Sequence, residues 1–178
     1  MIAIRWLALA LVLVAEAADA RELVGVEIVQ YGLFRSEIVD RQPDPTGVMH
    51  NVVDKVCHIA TTRTVPMKIG VHFGVRYRVT GPVAGERVVL KKLIHYPAVM
   101  APPSPARPSS MVSSLAELRV GTTTYTEYAL EQPWELAPGP WTFQFFEGDR
   151  KLAEFSFTVS GDAVVPESTE PSCFQLSS

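Results

Sequence analysis

Residues 133–159 read PWELAPGPWTFQFFEGDRKLAEFSFTV, and the reading of this stretch decides the fold. Trp141, Phe143 and Phe145 fall on one face of an extended chain, with Thr142 and Gln144 on the other. Beyond the polar, glycine-bearing EGDRK at 147–151, Ala153, Phe155, Phe157 and Val159 alternate with Glu154, Ser156 and Thr158. A period of two, with aromatic and β-branched residues on one side, marks strands with one buried and one wet face. The spacing predicts a β-hairpin closed by a loop of about three to five residues. Pro138-Gly139-Pro140 sets the turn that leads into it, because proline fixes φ and glycine permits a positive φ. Each large apolar side chain contributes roughly 1.5–3 kcal/mol when fully buried. An isolated hairpin is only marginally stable, so a second sheet must cover this one.

The rest of the chain supplies strands for that sheet. LVGVEIVQY at 23–31 alternates Val24, Val26 and Ile28 against Gly25 and Glu27, and RQPDPTG at 41–47 is a turn cluster. Residues 51–64 are rich in Val, Ile and Thr and predict a second strand, broken by Val65-Pro66. In 68–80, Ile69, Val71, Phe73, Val75, Tyr77 and Val79 line one face, while Gly70, His72, Gly74, Arg76 and Arg78 line the other. Val88, Leu90, Ile94 and Tyr96 place a further strand at 86–96. Lys92 falls in their phase and predicts a bulge or an exposed edge. The proline-rich 97–110 reads as a surface loop or crossing rather than sheet. MVSSLAEL at 111–118 suits one or two helical turns, TTTYTEYAL at 122–130 a strand, and 161–178 a flexible polar tail. The sum is an all-β fold, a two-sheet β-sandwich of about seven antiparallel strands with very little helix. A closed barrel fits the same strand count, and alternation alone does not separate the two.

The N-terminus carries one positive charge, Arg5, then the apolar run 6–14 and the small-x-small triplet Ala18-Asp19-Ala20. This is the pattern of a secretory signal peptide over residues 1–20, with cleavage before Arg21 and a mature domain over 21–160. The alternative, an uncleaved anchor, meets an apolar run short of the about 20 residues a bilayer needs. The expected location is therefore periplasmic or secreted, with no membrane span after cleavage. A formal net charge of −3 gives no electrostatic case for nucleic acid. Cys57 and Cys173 both fall beyond the leader. Export permits a disulfide between them, yet Cys173 lies in the polar tail, and sequence leaves the bridge open.

Three pieces of the chain carry a family likeness. They are Val26-Glu27-Ile28-Val29-Gln30-Tyr31-Gly32, Gly70-Val71-His72-Phe73-Gly74, and Pro138-Gly139-Pro140-Trp141 with Leu152-Ala153-Glu154-Phe155-Ser156-Phe157. Together they resemble the bacterial exported proteins grouped as the DUF3859 family, a domain of unknown function, over roughly 23–159. The resemblance implies an immunoglobulin-like sandwich and supplies no catalytic residue.

Candidate chemistry is sparse. None of His50, His58, His72 and His95 pairs at the spacing of a local metal motif, so a metal-dependent enzyme would need His72 and His95 to converge in space. A thiol enzyme would use Cys57, but in a strand Cys57 and His58 point to opposite faces. Neither a Gly-x-Ser-x-Gly elbow nor a phosphate loop is present, and nothing marks two of Glu127, Glu131 and Glu135 as a hydrolytic pair.

Two sets of residues are candidates for binding instead. His72, Arg76 and Arg78, extended by Lys91 and Lys92, offer a cationic face for an anionic polysaccharide or carboxylate; the bland alternative is a solvated face. Tyr125, Tyr128 and Trp134 either mark a binding surface or close the end of the core. The reading is an exported non-catalytic binding or interaction module, met by another envelope protein or a glycan, needing no metal or cofactor. The alternatives are the metal-dependent or thiol enzyme and a structural envelope component.

Overall fold

The computed structural model describes residues 24–43, 49–100, 109–165 and 171–175. The leader expected at 1–20, residues 44–48 of the turn cluster and 101–108 of the proline-rich stretch lie outside the described residues, as does the side chain of His50. In chain order the strands are β1 (Gly25–Pro43), β2 (Met49–Ala60), β3 (Thr64–Pro66), β4 (His72–Thr80), β5 (Arg87–Met100), β6 (Ser109–Arg119), β7 (Thr123–Ala129), β8 (Gly139–Glu147), β9 (Arg150–Ser160) and β10 (Ser172–Gln175). Among the described residues a single 3-10 turn, Pro133–Glu135, lies between β7 and β8. The strands form two five-stranded sheets, ordered β10-β2-β1-β4-β7 and β3-β9-β8-β5-β6, which makes the fold a sandwich rather than one closed barrel. All neighbours are antiparallel except β3 and β9.

The core lies between the sheets and is built from the alternating positions. Phe73 of β4 meets Trp141, Phe143 and Phe157 edge-on, at ring-centroid distances of 5.6, 5.9 and 5.3 Å. Edge-to-face contacts of this kind add to the burial term. The one polar atom of Trp141 is satisfied, because its Nε1–H donates to the carbonyl of Ala137 at 2.9 Å.

A bulge in β1 determines what faces outward. Val26 and Ile28 pack against the core; the pairing with β4 then shifts between Ile28 and Gln30, and from there Tyr31 and Leu33 take the inward positions. One extra residue reverses the side-chain parity of everything that follows. Gln30, Phe34 and Ser36 are thereby turned away from the main core. Phe34 instead forms a second, smaller cluster with Val56, flanked by Tyr125 and Phe174.

Several expectations need correction. Residues 111–118 are not helical: β6 is an edge strand paired with β5, in which Val112 and Leu118 pack on the core and Ser114 is buried between them. Ser114 on the inward face hid that alternation. Lys92 marks neither bulge nor edge, because β5 is paired on both sides there and its register to β6 runs unshifted from Arg87 to His95. Residues 97–100 extend β5 instead of opening the loop.

The turn before β4 holds 68–71, so Ile69 is exposed rather than inward. The second strand ends at Ala60, and Thr64–Pro66 has already crossed to the other sheet. The hairpin loop is only Gly148-Asp149. Four residues of the tail are not free: β10 pairs with β2, and Cys173, directly opposite Cys57, is bonded to it.

Candidate functional site

The outer face of the first sheet gathers the side chains that the β1 bulge turned outward. Phe34 of β1 lies opposite His72 of β4, Gly32 opposite Gly74, and Gln30 opposite Arg76. On the other side of β4, Gly74 lies opposite Glu127 and Arg76 opposite Tyr125 of β7. The two glycines let the backbones close up. A Cβ on Gly74 would sit 2.1 Å from the carbonyl oxygen of Thr126, and one on Gly32 1.9 Å from that of Ala60. Gly32 also has φ near +134°, which other residues rarely adopt.

Above these glycines lies a polar cluster. Ser36 Oγ donates to Glu127 Oε1 at 2.7 Å, and His72 Nδ1 lies 3.1 Å from both Ser36 Oγ and Glu127 Oε1. The His72–Glu127 pair is mostly withdrawn from water, with side chains 18% and 10% exposed. The hydrogen bond to Glu127 raises the pKa of His72, against the opposing effect of burial. Burial pushes the Tyr125 hydroxyl well above its ordinary range.

Ser36 and Glu127 both meet His72 at the same ring nitrogen, and the serine proton goes to the carboxylate. A nucleophilic relay needs the hydroxyl on one ring nitrogen and the acid on the other, so this cluster is not such a relay. What it does is hold charge and hydrogen-bonding capacity at a half-buried surface. Gln30 Oε1, Arg76 Nε and Glu127 Oε2 are buried there without a hydrogen-bond partner, so two acceptors and a donor remain unused. An apolar rim adjoins them, where the Arg76 guanidinium lies 4.3 Å over Phe174 and the Tyr125 ring is 6.1 Å from both Phe34 and Phe174.

His72, Arg76 and Tyr125 are thus brought together; the other candidates are not. Arg78 is exposed, 3.7 Å from Glu27. Lys91 and Lys92 do not extend the cationic face, because β5 belongs to the other sheet. His95 is there too, with Nε2 3.1 Å from Gln144 Oε1, so the histidines stand on opposite faces of the sandwich and do not converge. Among the described residues no group of three or more His, Cys, Asp or Glu side chains is placed to hold a metal ion. Cys57 is consumed by its disulfide.

Tyr128 stacks near Trp141 at 4.8 Å and donates its hydroxyl to Glu135 Oε1, and Trp134 packs on the core, so both close the sandwich end. Glu135 also accepts the backbone N–H groups of Glu131 and Gln132, a capping role rather than an acid–base one. Sequence reading missed Ser36 and Phe174 and gave Glu127 no role. The phase reversal in β1 concealed Ser36, although Glu127 and Tyr125 share a period-two face.

Comparison with known proteins bears on both family and fold. The family model of a domain of unknown function, DUF3859, matches residues 23–159. The fold is similar to the crystal structure of an immunoglobulin-like protein from Pseudomonas aeruginosa, with a TM-score of 0.55 and 26% sequence identity, over 79% of this chain and 99% of that one. No curated protein matches the chain.

Proposed function

The chain belongs to the DUF3859 family, a domain of unknown function, and we propose that it serves as an exported, non-catalytic binding module of the cell envelope. Its partner is another envelope protein or a glycan, met on the outer face of the first sheet. One observation carries this reading: the unpartnered buried atoms of Gln30, Arg76 and Glu127 lie on the solvent side of a sheet, where a plain sandwich needs nothing but hydrated side chains. Buried polar groups left unpaired cost roughly 1–3 kcal/mol each, and a ligand that reaches these atoms with donors and acceptors as the side chains over them move aside recovers that cost. The Cys57–Cys173 disulfide suits an oxidising compartment and supports export to the periplasm or beyond. No helix among the described residues is long and apolar enough to cross a membrane.

The test is retention of envelope components by the immobilised mature domain. Wild type and Arg78→Ala retain the same ligand, whereas Arg76→Ala and His72→Ala lose it while keeping the near-ultraviolet signal of buried Trp141. Equal retention by all four proteins sinks the reading.

A further inference from the structure

β10 is weakly built for a strand. It has four residues, pairs with β2 alone, and exposes Ser172, Cys173 and Gln175. Two features hold it: the Cys57–Cys173 bond, and the Phe174 side chain lodged against Phe34, Val56, Tyr125 and Arg76. Without the covalent bond, a four-residue edge strand with one anchored side chain belongs to the low-stability end of a structure. Its departure leaves the edge of β2 open beside an apolar seat roofed by a cation. Those are the parts of a strand-docking groove, in which main-chain hydrogen bonds give affinity and a pocket for an alternate side chain gives selectivity.

We propose that this face is a receptor for an extended segment of a partner protein carrying one aromatic side chain, with β10 as its resident occupant and Cys57–Cys173 as the lock. This rests on the reading of the outer face as a binding surface, and adds the ligand class and its control. The Arg76 guanidinium favours a ring with an electron-rich face. A dithiol reductant opens the lock. Its thiolate attacks Sγ of Cys173, the more exposed cysteine; the S–S bond breaks, and Cys57 leaves as thiolate and takes up a proton. The second thiol of the reductant then displaces Cys173. The cystine gains two electrons, and the dithiol ends as a disulfide.

The experiment compares the oxidised mature chain with its Cys57→Ser/Cys173→Ser variant by native hydrogen exchange. Unlocking speeds exchange of the alternate amides in 55–58 that point to β10 by about tenfold or more, while those that point to β1, and the amides of β4 and β8, stay protected. A second arm adds Phe174→Ala to the unlocked chain and titrates it by NMR with two pentapeptides. One has the sequence of residues 171–175 with serine for cysteine, and the other carries alanine for its phenylalanine as well. The aromatic peptide shifts Tyr125 and Phe34 and binds about tenfold or more tightly than the control. Unchanged exchange on unlocking, or equal response to both peptides, overturns the proposal. Should the serine variant lose its Trp141 signal, Cys57→Ala/Cys173→Ala takes its place in both arms. Envelope-ligand retention is measured separately for wild type, Arg76→Ala and His72→Ala in both the oxidised and the unlocked chain, so the binding reading survives or fails independently of the lock.

Discussion

The guanidinium of Arg76, on β4, lies 4.3 Å over the ring of Phe174, on β10, although β1 and β2 separate the two strands within the sheet. The contact therefore bridges the sheet across its outer face. A cation–π contact contributes about 0.5 kcal/mol in the open and about 2 kcal/mol when desolvated. A double-mutant cycle with Arg76→Met and Phe174→Leu, read by urea unfolding, is expected to give a coupling energy in that range. Additive effects of the two substitutions would show that the contact contributes nothing to stability.

The disulfide closes a loop of 116 residues. In the chain-entropy model a loop of that length contributes roughly 4–5 kcal/mol by constraining the unfolded chain. Denaturant unfolding with and without reductant should differ by about that amount, with the Trp141 contribution to the folded near-ultraviolet signal unchanged because Trp141 lies on β8, in the opposite sheet from β10. A difference below about 1 kcal/mol would mean that the reduced unfolded chain is already constrained.

The architecture was legible where one rule was sufficient. Phe73, Val75, Tyr77 and Val79 alternate in sequence and are all buried; Trp141, Phe143, Phe145, Phe157 and Val159 do the same. Legibility failed where a tertiary partner overrode the local pattern. Val112-Ser113-Ser114-Leu115 has weak alternation and becomes a strand only because β5 pairs with it. β10 is four polar-flanked residues fixed by a cysteine 116 positions away. The site was half legible. His72, Arg76 and Tyr125 could be listed from their faces, but Ser36 reaches Glu127 only after the Ile28–Gln30 bulge reverses its direction. A bulge leaves no mark in a run of apolar residues.

Phe73 is the centre of the aromatic core, and it touches rings from both strands of the hairpin. Phe73→Ala is expected to cost about 3–5 kcal/mol, as truncations of buried aromatics do. Trp141→Phe retains most of the packing, loses the Nε1–H bond to Ala137 and leaves that carbonyl to find another donor. It should cost less than Phe73→Ala in the same urea series. The reverse order would place the weight of the core on the 137–141 corner.

His72 makes the domain's stability depend on pH in a definite direction. Its pKa is raised above 6.5, first by the hydrogen bond to Glu127, then by the nearby charges of Glu127 and Glu131, with burial opposing. The Arg41–Glu131 pair, 3.9 Å apart, moderates the last of these. A folded-state pKa above the unfolded value means that the native protein holds the proton more tightly. The stabilisation from this residue is therefore complete below about 6.5 and is lost as pH climbs through the raised value. Wild type should lose stability between pH 6 and pH 8 relative to His72→Gln, which keeps a hydrogen-bonding side chain but does not titrate. Glu127→Gln removes the partner and should flatten the same slope. Parallel pH profiles for wild type and both variants would show that His72 titrates alike in the folded and unfolded chains.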